Sequence, residues 1–464
     1  MNIRGMQAIL AGALLLTACR SEPADGSAGI GDAYYPRLGN GGYEVERYTI
    51  DLDVNPSTGQ VSGSTTLEAI ATSPLASFHL DFQGLEIDAI TVDGKPAGHA
   101  RQGGELRIEP AQPLRNRARF TTRVEYHGTP RPVESQALPG EVGWFHAKSG
   151  AINVIAEPDG ASTWYPVNDH PLDKATYLFD ITVPDPWVVA ASGSLVETTQ
   201  DAGGRRYVWE MNRPMASYLA MIQIDHFDVE RFPGPAGVTI RNYIPRSASR
   251  ALTTALPLLP EMLEYYRGYF GPYPYSEYGV VIADGSIPPC LGWGTADETQ
   301  TLSIHCPNLT MMSEAVIAHE LSHQWFGDSV SLKRWEDLWL KEGMATYAEW
   351  MWVTREDGLE GLTDFAELAM RGLDVTSPIG SPPSGSLYTD EAYIGGALML
   401  HALRLRIGDE AFFRLLQHYA WKHRDGNAGV EDFLLAAERV SGEDLQAFFD
   451  SWLLDAELPP DLTS

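Results

Sequence analysis

Between Val316 and Gly327 the chain reads VIAHELSHQWFG, and between Trp339 and Trp350 it reads WLKEGMATYAEW. His319 and His323 stand four apart, so on a helix they share one face and can grip a single ion. Ser313 suits the N-cap of that helix and Gly327 its stop. Two imidazoles do not complete a catalytic zinc site; a third ligand has to arrive from elsewhere, with one position left to water. Glu342 meets that need, with 18 residues between it and His323 (342 − 323 = 19), on a second apolar-periodic segment that can pack antiparallel to the first. Imidazole and carboxylate donors suit Zn2+, one ion per chain. Glu320 is then a base and not a ligand, placed to take a proton from a water that the metal acidifies. H-E-x-x-H alone arises by chance often enough to be only suggestive, but the added glutamate inside W-L-x-E-G makes the spacing specific. The expectation is a helical catalytic floor for hydrolysis.

Composition is compatible with such an enzyme. The chain has 464 residues, 44% of them hydrophobic, enough for two or three domains with their own cores. Acidic residues outnumber basic ones 62 to 33, for a formal charge of -29, which argues against nucleic acid as a partner. Such a field mildly attracts cationic ligands, although solubility alone explains it equally well.

Residues 1–19 read as an export signal. Arg4 supplies the positive end, and the run from Ala8 to Leu16 is too short to span a bilayer. Leu16-Thr17-Ala18-Cys19 resembles the lipobox of bacterial lipoproteins, which implies a lipid anchor on Cys19 at the periplasmic side of a membrane. A plain secretory signal with a chance cysteine is the alternative. Residues 20–38 are small, polar and Gly/Pro-containing, as in a flexible tether. The two remaining cysteines, Cys290 and Cys306, read most simply as a disulfide in an exported protein; as metal ligands they lack a CxxC spacing.

From about residue 43 the pattern has period two, with Tyr48, Ile50, Leu52 and Val54 on one side and Thr49, Asp51 and Asp53 on the other. Asp93-Gly94 is a hairpin signal, and the alternation returns at Tyr177, Phe179, Ile181 and Val183. Pro233-Gly234-Pro235-Ala236-Gly237 marks the expected boundary, after which the text becomes helical. The domains expected are thus an all-β one over 39–232 and a zinc-site one over 233–464.

HELSHQWFGDSVS followed by WLKEGMATYAEW, together with EPDGASTWYPVNDHPLDKATY upstream, closely resembles the aminopeptidase N family of gluzincin metallopeptidases over about residues 43–455. The resemblance implies a β-sandwich or saddle domain and then a thermolysin-like α+β, mainly helical catalytic domain, without the C-terminal helical domain of many relatives. It implies hydrolysis of the first residue from peptides with a free N-terminus. Glu298, in Thr295-Ala296-Asp297-Glu298-Thr299, and Glu157, in IAEPDGAS, would hold the substrate ammonium, although neighbouring family residues are changed. Asp297 takes the place of a methionine that borders the first-residue pocket, and either a solvent-facing acid or a charge-selective wall explains it. Tyr393, in Tyr393-Ile394-Gly395-Gly396, matches the tyrosine that donates to the oxyanion. The competing readings are an endopeptidase or epoxide hydrolase on the same scaffold, or a non-catalytic peptide-binding relative.

Overall fold

Apolar side chains at alternate positions of Tyr43–Asn55 fill one face of a strand, and Tyr48, Ile50, Leu52 and Val54 are all buried. In the computed structural model, which describes residues 22–201, 203–291, 296–455 and 457–462, this strand lies inside an eight-stranded sheet. It runs antiparallel to Gln60–Ala71 and parallel to Ala175–Val183. Tyr177, Phe179, Ile181 and Val183 repeat the alternation and are likewise buried. Asp93 and Gly94 form the expected two-residue turn, both at positive φ, between Glu86–Val92 and Lys95–Pro96. Tyr48, Tyr165 and Tyr177 meet as stacked and edge-on rings against this sheet, with centroids 5.0 to 6.4 Å apart. Burying an aliphatic or phenylalanine side chain of this sheet, such as Ile50, Leu52 or Phe179, contributes on the order of 1.5–3 kcal/mol.

A five-stranded sheet leads toward the site. Its strand Ile152–Ile155 lies between Glu141–His146 and Ile222–Asp225, and the chain leaves it directly into Glu157. The helical half is built on a third, mixed sheet, in which Phe227–Pro233 pairs with Thr239–Pro245 and Leu302–His305 lies beside the edge strand Ala296–Thr299. Four helices matter for the site: Leu259–Phe270, Glu314–His323, Trp339–Val353 and Gly396–Ile407. One apolar core runs through both halves.

Two expectations need correction. Residues 22–38 are not a loose tether. Ala24–Asp25 pairs with the strand Leu75–Asp81, and Asp32, Tyr35 and Leu38 are buried. Asp32 accepts from the backbone of Tyr34, Tyr35 and Trp335 and faces His170 Nε2 at 3.1 Å, while the Tyr35 hydroxyl donates to the Ser384 carbonyl. Averaged composition hides a few anchoring side chains among small residues, and these clasp both halves of the molecule. The boundary also moves, because Pro233–Gly237 is the turn of a hairpin within one sheet. The change of sheet falls between Ile222–Asp225 and Phe227–Pro233. Pro and Gly mark turns whether or not a domain ends there. Residues 1–19, with Cys19, lie outside the described residues.

Candidate active site

The Ser313 hydroxyl accepts from Val316 N at 3.4 Å, capping Glu314–His323 as the sequence predicts. His319 and His323 project from the same buried face, their ring centroids 5.0 Å apart. Glu342 arrives from the first turn of Trp339–Val353, its Oε2 at 3.3 Å from His319 Nε2 and 3.5 Å from His323 Nε2. One ligand atom from each of the three lies within 4.8 Å of the others.

Each imidazole is oriented from behind. His323 Nδ1 lies 3.0 Å from the Phe326 carbonyl; a carbonyl only accepts, so Nδ1 carries a proton and Nε2 is the ring nitrogen left to bind a metal. The chain doubles back here because Gly327 takes φ +133, where a Cβ would meet His323 Nδ1 at 3.1 Å. His319 Nδ1 faces Glu349 Oε2 at 3.4 Å. Two Nε2 lone pairs and a carboxylate oxygen, each held from outside, are the donor set of a catalytic zinc site, so the residues fit the metal. Without an ion the imidazoles hold protons instead. Burial opposes their charge, but hydrogen bonds to Glu342 and Glu349 raise His319 to about 10, and the fields of Glu298 and Glu342 raise His323 to about 9.

A cavity of about 560 Å³ opens above these three side chains and is also lined by Glu157, Asp297, Glu298, Glu320, Tyr388 and Tyr393. Burial lifts the Glu320 carboxyl to about 7 against the pull of His319 and His323. Burial, and then the field of Glu342, push the Tyr393 phenol well up, so it stays a hydrogen-bond donor.

Tyr393 reaches the site through a close helix crossing. It sits in the π-helical turn Glu391–Gly395 that enters Gly396–Ile407, with its ring centroid 5.9 Å from that of His319. A Cβ on Gly343 would lie 2.8 Å from Gly396 Cα, and one on Gly396 would lie 3.0 Å from Gly343 Cα. The glycine of W-L-x-E-G thus lets the helix behind Tyr393 press against the helix that carries Glu342.

Glu298 stands on the edge strand Ala296–Thr299, which is pinned to the N-terminal half where Thr299 Oγ1 donates to the Leu219 carbonyl. Glu157 faces it, its Oε1 accepting from the Tyr388 hydroxyl at 2.8 Å. Between them is Lys341, whose Nζ lies 2.5 Å from Glu157 Oε1, 2.6 Å from Glu298 Oε1 and 2.9 Å from Glu342 Oε1. Burial raises Glu157 to about 8, with Glu298 adding and Lys341 opposing.

All seven residues singled out from the sequence, His319, His323, Glu342, Glu320, Glu298, Glu157 and Tyr393, line this one cavity. Thr295, from the segment around Glu298, lies outside the described residues. Sequence reading missed Lys341, Tyr388 and Glu349. Faint signals existed: Lys341 directly precedes Glu342, and Glu349 follows Glu342 by seven positions (349 − 342 = 7), two helical turns along the same face. The expected disulfide is formed between Cys290 and Cys306.

The Peptidase M1 N-terminal domain matches residues 44–219, and the Peptidase family M1 domain matches residues 254–452. Among curated relatives, "Probable aminopeptidase 2" of Sulfurisphaera tokodaii is 27% identical over 432 residues, 88% of this chain and 53% of the relative. "Aminopeptidase N" of Lactococcus lactis is 25% identical over 433 residues, 88% of this chain and 50% of the relative. The chain thus spans about half the length of the curated relatives it matches. A solved M1 zinc metallopeptidase from Deinococcus radiodurans is similar nearly end to end, with 30% identity, a TM-score of 0.85, and coverage of 93% of this chain and 98% of that one. A mutant of that enzyme has been solved bound to the substrate Tyr-Ser-Ala.

Proposed function

This chain belongs to peptidase family M1, and from that membership we propose that it is a zinc aminopeptidase that removes the first residue of peptides with a free N-terminus. Zinc held by His319, His323 and Glu342 would polarise the scissile carbonyl and acidify a water molecule. Glu320 takes the proton of the attacking water and passes it to the leaving amine. Tyr393 donates its hydroxyl to the oxygen on which negative charge develops. Glu157 and Glu298 hold the α-ammonium, so only one residue fits between the cradle and the site of attack.

The observation that carries the reading is the placement of those two carboxylates in one cavity with the zinc ligands, around an ammonium group, that of Lys341. Two buried glutamates that already accept from one ammonium have the acceptor oxygens to take another. The test is a panel of N-terminal aminoacyl fluorogenic amides. Release should stop with a chelator and return with zinc; no release, or release indifferent to the chelator, would contradict the proposal.

Export and anchoring through Cys19 are part of the same proposal. Their support is the signal-like run before Cys19 and the disulfide Cys290–Cys306, which persists in an oxidising compartment. Radiolabelled fatty acid incorporated by the full chain but not by Cys19→Ala would bear this out; equal incorporation by both would refute it.

A further inference from the structure

The edge strand that carries Glu298 brings another acid to the cleft. Asp297 is only 7% exposed, which removes the reading of it as a solvent-facing acid. Its Oδ2 is buried and has no hydrogen-bond partner. One carboxylate oxygen each from Glu157, Asp297 and Glu298 lie within 4.8 Å of one another. A buried polar atom without a partner is costly, so this wall of the cavity is incomplete as it stands.

Charge balance says what is missing. Fully ionised, the three acids carry three negative charges. Lys341 answers one, through its contacts to Glu157 and Glu298. A substrate α-ammonium answers a second. The third has no counterpart, because no lysine or arginine is among the described residues that line the cavity, whereas Glu141 and Glu349 add further acid.

We propose that Asp297 selects peptides whose first residue is lysine or arginine, its carboxylate pairing with the side-chain cation while Glu157 and Glu298 hold the α-ammonium. The proposal rests on the aminopeptidase reading above and names its substrate class. The four-carbon stem of lysine is long enough to bridge acids this close together, and the guanidinium of arginine can engage both oxygens of Asp297. Desolvation, and then the fields of Glu157 and Glu298, push the Asp297 carboxyl well up.

The zinc-loaded enzyme is given lysyl and arginyl amides beside the amides of their uncharged counterparts, norleucine and citrulline. Each charged substrate should show kcat/KM about 10- to 100-fold above its neutral partner, the worth of one charged hydrogen bond. Asp297→Asn should bring both ratios close to one. Equal kcat/KM within each pair on the unaltered enzyme overturns the proposal without recourse to a variant. So does a preference that Asp297→Asn leaves intact. Cleavage of all four amides without charge preference refutes the selectivity alone, whereas cleavage of none, with N-acetylated peptides still cut, refutes the aminopeptidase reading and the selectivity with it.

Discussion

Lys341 places its ammonium 2.6 Å from Oε1 of Glu298, with the lysine side chain 1% exposed. A lone buried ammonium would be costly, and so would the acids around it; together they are compensated. Replacing Lys341 with methionine leaves Glu157, Glu298 and Glu342 to repel one another in a buried site. Breaking a buried charge network from one side costs about 3–5 kcal/mol. Lys341→Met should lower the thermal unfolding midpoint of the zinc-loaded protein clearly. An unchanged midpoint would mean that the ammonium does not neutralise these carboxylates.

Glu320→Gln removes the proposed base but none of the three residues proposed to hold the metal. Zinc content should stay at one ion per chain while kcat falls about 10²- to 10⁴-fold, the usual contribution of a positioned acid–base group. Metal analysis beside steady-state kinetics checks both halves, and retained turnover would assign the proton transfer to another group.

Tyr393→Phe should lower kcat about 10²- to 10³-fold, as for loss of one oxyanion donor, with little change in KM. Gly343→Ala tests how that tyrosine is delivered. The added methyl would stand 2.8 Å from Gly396 Cα and force the two helices apart, at a cost of about 1–3 kcal/mol. It should lower stability and kcat together; a fully active, equally stable alanine variant would show that the crossing does not set the position of Tyr393.

The cluster of His319, His323 and Glu342 was legible because three residues at fixed spacing state both their local structure and their chemistry. The β strands were legible because period two survives wherever one face is buried, as at Ile50 and Leu52. Lys341 was not, since its neighbours Glu157, in the turn after Ile152–Ile155, and Glu298, on the strand Ala296–Thr299, are far away in sequence. Asp297 was ambiguous for a related reason: whether an acid faces water depends on what folds over it. The segment around Asp32 and Tyr35 shows how few side chains suffice to dock a stretch whose average composition reads as linker.

Metal and pH are linked through the two imidazoles. In the metal-free protein burial opposes their charge, yet Glu342 with Glu349, and Glu298 with Glu342, hold His319 at about 10 and His323 at about 9 against an ordinary 6.5. A raised imidazole stabilises the fold fully below its unfolded value and loses that contribution as pH rises through its folded value. The metal-free protein should therefore lose stability between pH 6.5 and 10, while the zinc-loaded protein, whose imidazoles have already given up their protons, should not. Zinc binding near neutrality should release protons and tighten as pH rises. Calorimetry in buffers of different ionisation enthalpy reads this directly, and no proton release would contradict it. Glu349→Gln, which weakens the support behind His319, should reduce zinc affinity about 10- to 100-fold.

On the proposed function, an ammonium cradle formed by Glu157 and Glu298 measures one residue to the metal. The most direct measurement compares one peptide with its N-terminus free and acetylated, following the cleavage products of the zinc-loaded enzyme by mass spectrometry. The free peptide should lose its first residue, and the acetylated one should remain intact over the same time. Equal cleavage of both, or cuts inside the chain, would contradict the account.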